Sequence, residues 1–501
     1  MKWFAQSKAK FLGLIFDSKL TWSEHIKYIE DKCKKRINLM RAVAGNQWGA
    51  SKKTLLTIYR VLIRSVIDYG SIAYNSATDN VKRRLDVIQH RALRIACGAF
   101  CGTASAALQV ETGEPPLAVR RKEQELKYAV KVKATPDHPA KATTEFHWTT
   151  LSKRFTSNNL PLYNKTLEYF TQSEVDNVNS PKIPDDPPWH LKPCLVDTSL
   201  TGNGRKDENP LLLKNKALAT IDTYSDTVNI YTDASKTLEN KTAAAYCVPT
   251  VNVKHCARLN NNITIFAAEL TALKLAVLWV INTLQENVTI FSDSLSCLQA
   301  LSSGKSSCRP NLLLEVQHLV STYTGNITFV WIPSHVGITG NELADRLANS
   351  ATLHAEIELD IGFELSEAYQ AVTVYNIQQW QVQWDTDTTG RHYNQIESTV
   401  STRVKYSNKC RRTEVTITRL RLGKCKLNYY MHKINKHPTG LCSICNKDET
   451  VTHFLLECAA SSTCRAVLLA CSSLGVTPTL RNVLTDSRLH SVIISSLTRN
   501  I

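Results

Sequence analysis

The chain lacks long apolar stretches. No uninterrupted apolar run in its 501 residues approaches the roughly 18 residues of a membrane-spanning helix. The N-terminal segment MKWFAQSKAKFLGLIF also lacks the apolar region and small-residue cleavage site of a signal peptide. These absences argue against a membrane or secreted protein, so we expect an intracellular protein in the nucleus or the cytoplasm.

Acidic residues are the scarcer charged class. The 44 Asp and Glu residues stand against 60 Lys and Arg residues, which gives a formal net charge of +16. Lys and Arg neutralise phosphates and supply most sequence-independent affinity for nucleic acid. Membrane surfaces and plain solubility are alternative reasons for a basic chain. We therefore expect a nucleic-acid partner and no membrane, in a chain long enough for about three domains.

Four regions follow from the pattern of apolar residues. Residues 1–133 repeat them at spacings of three and four, which predicts a helical region. Residues 134–226 are rich in Pro, Asn, Ser and Thr, which predicts a linker with at most short local structure. Residues 227–354 predict an α/β domain with a mixed sheet, in the order β-β-β-α-β-α-α-β-α. The tail, residues 355–501, is predicted to be helical again.

Four acidic residues of the α/β region stand where strands end or helices begin. Asp233 and Asp293 are expected to close strands, and Glu269 and Asp345 to lie in the first turns of helices. Open α/β sheets bind ligands at the carboxyl edge of their strands, so we expect the four carboxylates to converge there. Singly, each has an ordinary role as a turn former, helix-dipole partner or cap. Together they repel one another unless a divalent cation lies among them.

Converging carboxylates suit phosphodiester hydrolysis. Mg²⁺ prefers oxygen ligands, retains water and takes phosphate oxygens as further ligands. Two such ions about 3.5 to 4 Å apart activate an attacking water and stabilise the leaving 3′ oxygen. No protein nucleophile is then required.

These motifs resemble those of type 1 ribonuclease H, in the form carried by non-LTR retrotransposons. The resemblance rests on YTDAS, AAELTAL, FSDS and WIPSHVGITGNELADRLA, within about residues 227–354. It implies a ribonuclease H-like mixed five-stranded sheet and two Mg²⁺ ions, or Mn²⁺ in their place. The implied metal ligands are Asp233, Glu269, Asp293 and Asp345. It also implies that His335 assists proton transfer or product release, which suits a histidine in a loop flanked by Pro and Gly.

Two departures from the family pattern concern residues that bind the substrate. Cellular members place polar amides just before the helix Glu, whereas Thr264-Ile265-Phe266 precede Ala267-Ala268-Glu269 in this chain. The segment CRPNLLLEVQHL between the middle helices is short and apolar, in place of a basic handle. We expect the basic helices on either side of the domain to bind the substrate instead.

The N-terminal region has a resemblance of its own. FLGLIFDSKLTWSEHI and the helices that follow, to about residue 130, resemble the thumb and connecting helices at the end of a retrotransposon reverse transcriptase. The chain contains no Tyr-x-Asp-Asp palm motif. Polymerisation by this chain is therefore not expected, and Met1 is expected to begin a truncated element.

One group among the fifteen scattered cysteines has the spacing of metal ligands. The segment LCSICNKDETVTHFLLEC supplies Cys442, Cys445, His453 and Cys458. Three thiolates and one imidazole at this spacing predict a tetrahedral structural Zn²⁺ site, with a chance cluster of buried thiols as the alternative. The segment also resembles the zinc-binding tail of the same retrotransposon polyproteins. Its predicted role is nucleic-acid contact or local folding.

The sequence thus predicts a metal-dependent endonuclease. We expect it to hydrolyse the RNA strand of RNA–DNA hybrids, as a remnant of a retrotransposon polyprotein. The alternative is a catalytically idle fragment that only binds nucleic acid, which the missing palm and basic handle favour. The oligomeric state is not predicted.

Overall fold

The computed structural model describes residues 7–141, 166, 168–171, 175, 177–179, 187–203, 209–458 and 461–497. Met1 and a large part of the predicted linker lie outside these residues. The described residues divide into two compact units. A helical unit contains those of 7–126 and 373–497, and a sheet unit contains those of 127–372.

The N-terminal part of the helical unit begins with a hairpin and continues with helices. Its antiparallel strands are β1 (Lys8–Phe11) and β2 (Leu14–Asp17). The helices up to the sheet unit are α1 (Ser23–Val43), α2 (Lys52–Ile58), α3 (Ser65–Asp68), α4 (Ser71–Tyr74), α5 (Asp79–Cys97), α6 (Ser105–Thr112) and α7 (Leu117–Ala134). A π-helical stretch, Tyr59–Arg64, joins α2 to α3.

Six strands of the sheet unit alternate with, or are followed by, five helices. The strands are β3 (Leu195–Asp197), β4 (Val228–Lys236), β5 (Thr242–Val248), β6 (Val253–Leu259), β7 (Asn287–Ser292) and β8 (Asn326–Trp331). The helices are α8 (Pro210–Asp222), which precedes β4, and then α9 (Ile265–Thr283), α10 (Leu295–Ser303), α11 (Pro310–Thr322) and α12 (Thr339–Ala351). Three short 3₁₀ turns cover Pro188–His190, Ser199–Asn203 and Pro249–Val251.

The C-terminal part of the chain is helical, as predicted. Its helices are α13 (Leu365–Thr386), α14 (Arg391–Asn394), α15 (Arg411–Leu422), α16 (Asn428–Lys433), α17 (Ser462–Leu474), α18 (Leu480–Thr485) and α19 (Ser487–Ser496). A second π-helical stretch covers His453–Glu457.

The six strands form one mixed sheet in the order β3-β8-β7-β4-β5-β6. The first four of these are parallel, and β5 and β6 continue the sheet as antiparallel neighbours of β4. The predicted α/β class with a mixed sheet and helical flanks is confirmed. From β4 to α12, the elements also follow the predicted order.

The sheet has one strand more than predicted, because β3 lies in the segment 134–226 that we expected to be a linker. This strand has three residues and pairs Val196 with Phe329 of β8, so it is too short to show a periodic pattern. The same segment contains α8, whose start is marked in the sequence by an Asn-Pro pair. The Asn209 side chain caps the helix by accepting a hydrogen bond from the Leu211 backbone N at 3.0 Å, and proline follows it. The described part of this segment therefore contributes to the sheet unit. The predicted domain boundaries stay predictions.

The central helix α9 lies in the core of the sheet unit. It is the one described helix that is long and apolar enough to cross a membrane, and more than half of it is buried. Leu270, Leu273 and Val277 of α9 are fully buried in the same cluster as Ile290 and Phe329 of the sheet. Its apolar composition is explained by this packing.

A buried ion cluster joins distant parts of the helical unit. Glu111 of α6 accepts hydrogen bonds from the Lys52 Nζ at 2.5 Å and from the Arg421 Nε at 3.1 Å, and all three side chains are buried. The Tyr393 hydroxyl donates to Glu111 at 2.6 Å. Burial alone would raise the pKa of Glu111, but the charges of Arg421 and Lys52 outweigh it and hold that pKa below its usual value. The ionised cluster therefore connects residues about 300 positions apart.

Close packing of α12 on the sheet depends on Gly340. This residue lies in the first turn of α12, and a Cβ atom at its position would collide with the ring of Tyr231 on β4. The Cys247 thiol of β5 donates to the Gly340 carbonyl at 3.4 Å. The missing side chain therefore lets α12 approach the middle of the sheet.

We expect Gly340→Ala to destabilise the sheet unit by about 1–3 kcal/mol, because the added methyl group is forced against the Tyr231 ring. Ser350→Ala changes an exposed residue of the same helix and should cost less than about 0.5 kcal/mol. Urea unfolding of both variants measures the difference. Equal stabilities would contradict this account of the packing.

Candidate functional site

Two of the predicted acids are brought together by the parallel pairing of β4 and β7. The register pairs Thr232 with Ser292. The residues that follow them, Asp233 and Asp293, therefore lie side by side. Asp293 follows the last residue of β7, as predicted. Asp233 does not close its strand, because β4 continues to Lys236 and pairs there with β5.

The third carboxylate comes from α9. The Thr264 hydroxyl caps this helix by accepting a hydrogen bond from the Ala267 backbone N at 3.2 Å. Glu269, in the second turn, is buried, and its Oε2 has no hydrogen-bond partner within the described chain. Asp233, Glu269 and Asp293 each offer a carboxylate oxygen, and these oxygens lie within 4.8 Å of one another.

Burial raises the pKa of all three acids, and the charges of neighbouring carboxylates add to this effect. Burial is the largest cause for Asp233, and with the charge of Asp293 it raises the pKa of Asp233 to about 8. Burial, followed by the charges of Asp233 and Asp293, raises the pKa of Glu269 well above its usual value. Burial also raises the pKa of Asp293, which the Asn341 amide and His335 partly offset. A divalent cation among these oxygens would relieve this repulsion, so the three residues and the unpartnered Oε2 fit a metal ion.

Asp345 lies beside this cluster and outside the set of closely spaced oxygens. It is in the second turn of α12, where the Asn349 Nδ2 donates to its Oδ1 at 2.8 Å. The Ser235 hydroxyl of β4 in turn donates to the Asn349 Oδ1 at 2.5 Å. The charge of Asp345 raises the pKa of Asp233, Glu269 and Asp293, as expected for a carboxylate near them.

His335 lies in the loop between β8 and α12. Its side chain is exposed, and its backbone has a positive φ of 54°. A non-glycine residue in this conformation is uncommon. The charge of His335 lowers the pKa of Asp293, so the imidazole is near the carboxylate cluster.

Asn341 is a residue of the site that sequence reasoning missed. Its Nδ2 donates to the Asp293 Oδ2 at 3.4 Å, and its buried Oδ1 has no hydrogen-bond partner among the described residues. Asn341 lies in the first turn of α12, which begins at Thr339. Its position four residues before Asp345, on the same helix face, is the signal that could have revealed it.

The four predicted soft ligands also converge, within the helical unit. The sulfur atoms of Cys442, Cys445 and Cys458 and one ring nitrogen of His453 lie within 4.8 Å of one another. The Cys445 Sγ is 3.1 Å from the His453 Nε2, and the sulfur atoms of Cys442 and Cys458 are 3.9 Å apart. The arrangement has the composition of a closed tetrahedral site.

The electrostatics of this cluster favour one thiolate in the absence of a cation. Burial opposes ionisation of Cys442, but the backbone N–H groups of Ile444 and Cys445, with His453, lower the pKa of Cys442 to about 6. Burial and the neighbouring Cys442 raise the pKa of Cys458. Since zinc binds thiolates, these donors fit a soft cation that stabilises the further negative charge.

Comparison with known proteins identifies the sheet unit. The RNase H family matches residues 225–352, which contain β4 to α12 and all the acids described above. The chain carries a ribonuclease H domain. The predicted ribonuclease H-like fold is thereby confirmed, with six strands in the sheet.

Two relatives show the extent of the likeness. The chain matches the retrovirus-related Pol polyprotein from type-1 retrotransposable element R1 4 of Nasonia vitripennis, with 28% identity over 125 residues. This match covers 25% of the chain and 32% of that relative, so it spans about a third of the relative's length. The predicted resemblance to a non-LTR retrotransposon polyprotein with a ribonuclease H domain is confirmed. A crystal structure of RNase H1 from the halophilic archaeon Halobacterium salinarum NRC-1 is 19% identical, covering 25% of this chain and 96% of that chain, with a TM-score of 0.22.

The raised pKa of Asp233 predicts a pH-dependent stability for the ribonuclease H domain. Between the ordinary pKa of an aspartate and about 8, the folded protein retains a proton that the unfolded protein has lost, so the free energy of unfolding falls as the pH rises. Without divalent metal, we expect Asp233 alone to account for a loss of about 4 kcal/mol at most between about pH 5 and pH 8. Thermal unfolding across this range measures it, and added Mg²⁺ should restore more stability at the higher pH.

Two substitutions make this prediction specific. Asp233→Asn should remove the share of the pH dependence that Asp233 contributes, because the neutral amide has no proton to lose, and it should leave the share of Glu269 and Asp293. Asp226→Asn, at an exposed position just before β4, should leave the dependence unchanged. A pH dependence that is the same in both variants would show that it has another source.

Proposed function

We propose that this chain hydrolyses the RNA strand of RNA–DNA hybrids by metal-dependent phosphodiester cleavage. The observation that carries the proposal is the cluster of Asp233, Glu269 and Asp293 oxygens within 4.8 Å of one another, in a domain that the RNase H family matches. Asp345 stands beside them as the fourth acid. The family match supports ribonuclease activity on RNA–DNA hybrids in general, and the two-metal mechanism is part of our proposal.

The metal ions would be held by the four acids. When bound, two Mg²⁺ ions activate the attacking water and stabilise charge on the leaving oxygen. The chain's contribution is to fix the carboxylates: β4 and β7 set Asp233 beside Asp293, and α9 brings Glu269 to them. Asn341 orients Asp293 through its amide, while Asn349 and Ser235 orient Asp345.

His335 is proposed to carry protons between the cleavage site and solvent. Its exposed side chain and position near Asp293 support this role. Imidazole nitrogens accept and release protons readily, and the loop leaves the ring accessible to water.

The second proposed metal is a structural zinc ion in the helical unit, held by Cys442, Cys445, His453 and Cys458. All four ligand positions are taken by protein, which leaves no open position for catalysis. The four ligands lie near both ends and in the middle of the segment from Leu441 to Cys458, so one bound ion would cross-link it. Zinc would therefore stabilise its fold.

We expect Asp293→Asn to lower the rate of hybrid cleavage by about 100-fold or more, because the site loses a metal ligand and a negative charge. The assay uses a hybrid with a labelled RNA strand, the full chain and Mg²⁺, and resolves the products on a denaturing gel. Asp226→Asn is the matched control, since it removes an exposed aspartate outside the cluster. Equal cleavage by the two variants would contradict the proposal.

The same assay separates the proposal from its alternative. A wild-type chain that binds the hybrid in a salt-sensitive way but never cleaves it would be a catalytically idle nucleic-acid-binding fragment. Single-stranded RNA of the same sequence should remain uncut by the wild type.

For the zinc site, we expect about one zinc ion per chain in the purified protein, by the composition of the ligand set. Cys442→Ser should lose the metal and lower the unfolding temperature of the helical unit. Cys410→Ser, which changes an exposed cysteine outside the cluster, should retain it. Elemental analysis of both variants measures the content, and zinc retained by Cys442→Ser would contradict the assignment.

A further inference from the structure

A groove in the helical unit lies apart from the carboxylate cluster. Its volume is about 490 Å³, within the range of pockets that hold small ligands. The loop before α6, the start of α14 and the chain from the end of α15 through α16 line it, together with residues 449–451. The family match at 225–352 does not include any of these segments.

The groove carries an excess of positive charge. Arg391, Lys424 and Lys433 line it, and within the described residues neither lysine forms an ion pair with an acidic side chain. Burial, followed by the charge of Lys433, lowers the pKa of Lys424, as expected for cations held near one another. Glu449 is the acid in the wall, and it is buried and accepts a hydrogen bond from the Asn428 backbone N at 2.7 Å. The groove therefore has cations that an anion can pair with.

Two tyrosines stand among these cations, and they have different roles. Tyr430 is buried, and its hydroxyl donates to the Cys101 carbonyl at 2.9 Å, so it is part of the packing. Tyr429 is half-buried and lines the groove. The Lys433 Nζ lies 4.4 Å from the centre of its ring. Tyr429 is therefore a half-buried ring of the groove wall with a cation over one of its faces.

We propose that this groove binds single-stranded nucleic acid, with phosphates on Lys424 and Lys433 and a base stacked on Tyr429. Cations that follow a backbone, combined with an aromatic platform, are the features that bind single strands without sequence preference. In a duplex, the bases are stacked on one another and their faces are not available to a tyrosine. The shared chemistry is an unstacked base next to a phosphodiester, which RNA and DNA both offer. The proposal does not depend on the nuclease activity.

The test measures binding by the full chain in buffer without Mg²⁺. The probes are fluorescently labelled single strands of oligouridine and oligothymidine of equal length, followed by anisotropy. We expect Lys424→Gln combined with Lys433→Gln to raise the Kd about tenfold and to reduce the salt slope by about 1 to 2, as two phosphate contacts are lost. Lys426→Gln removes a nearby exposed lysine outside the groove and should change the Kd less than about twofold.

A second pair of variants tests the stacking. Tyr429→Leu should raise the Kd about tenfold, whereas Tyr429→Phe keeps an aromatic face and should bind like the wild type. Thermal unfolding and zinc content of each variant show whether the helical unit is intact.

The remaining outcomes decide between the proposal and its rivals. A preference for one probe over the other identifies RNA or DNA as the source of the ligand, and either result supports the site. Effects no larger than that of Lys426→Gln would overturn the proposal. So would equal binding of a duplex that is insensitive to Tyr429→Leu, because the groove would then attract polyanions by charge alone.

Discussion

The ribonuclease H domain is organised around three acidic side chains that repel one another. Asp233, Glu269 and Asp293 are held within a few ångströms in a partly buried place, although both burial and mutual charge oppose their ionisation. The energy that holds them together comes from the rest of the domain. Parallel pairing of β4 and β7 and the apolar packing of α9 fix the backbone positions, so the side chains cannot move apart. The fold thus holds the carboxylates in an arrangement that favours binding of a cation.

The two candidate metal centres differ in what the protein itself contributes. The carboxylate cluster offers oxygen donors at the edge of a large apolar core, and this core supports the strands and helix that carry them. Hard divalent ions that retain water and accept substrate oxygens suit such a place. The cysteine and histidine cluster offers four closely spaced sulfur and nitrogen donors, the number that a tetrahedral site requires. One centre thus has the character of a reaction site, and the other that of a fold-stabilising site.

The parts of this molecule that could be predicted from the sequence are those marked by a local residue pattern, such as amphipathic periodicity or the spacing of metal ligands. Long amphipathic stretches led to the right order from β4 to α12, and the spacing of Cys442 to Cys458 led to a cluster that does converge. Short elements were missed: β3 has three residues and depends on its pairing with β8, which no local pattern reveals. Asp233 was wrongly predicted to close its strand. Pairing of β4 with β7 ends at Thr232, but pairing with β5 continues to Lys236, and no local sequence pattern reveals this second pairing. Asn341 was missed because a hydrogen bond to Asp293 depends on how closely α12 approaches the sheet.

The ion cluster of Lys52, Glu111 and Arg421 sets an order of events for a chain that emerges from the ribosome. The first two residues are synthesised early, and the third follows only after the whole ribonuclease H domain. Domains generally fold as units during synthesis, so the sheet unit has time to form while α2 and α6 still lack their partner. Until Arg421 arrives, Glu111 has one cation where the finished unit supplies two, and a buried charge with incomplete pairing is costly. The helical unit is therefore expected to close last, after the ribonuclease H domain has folded.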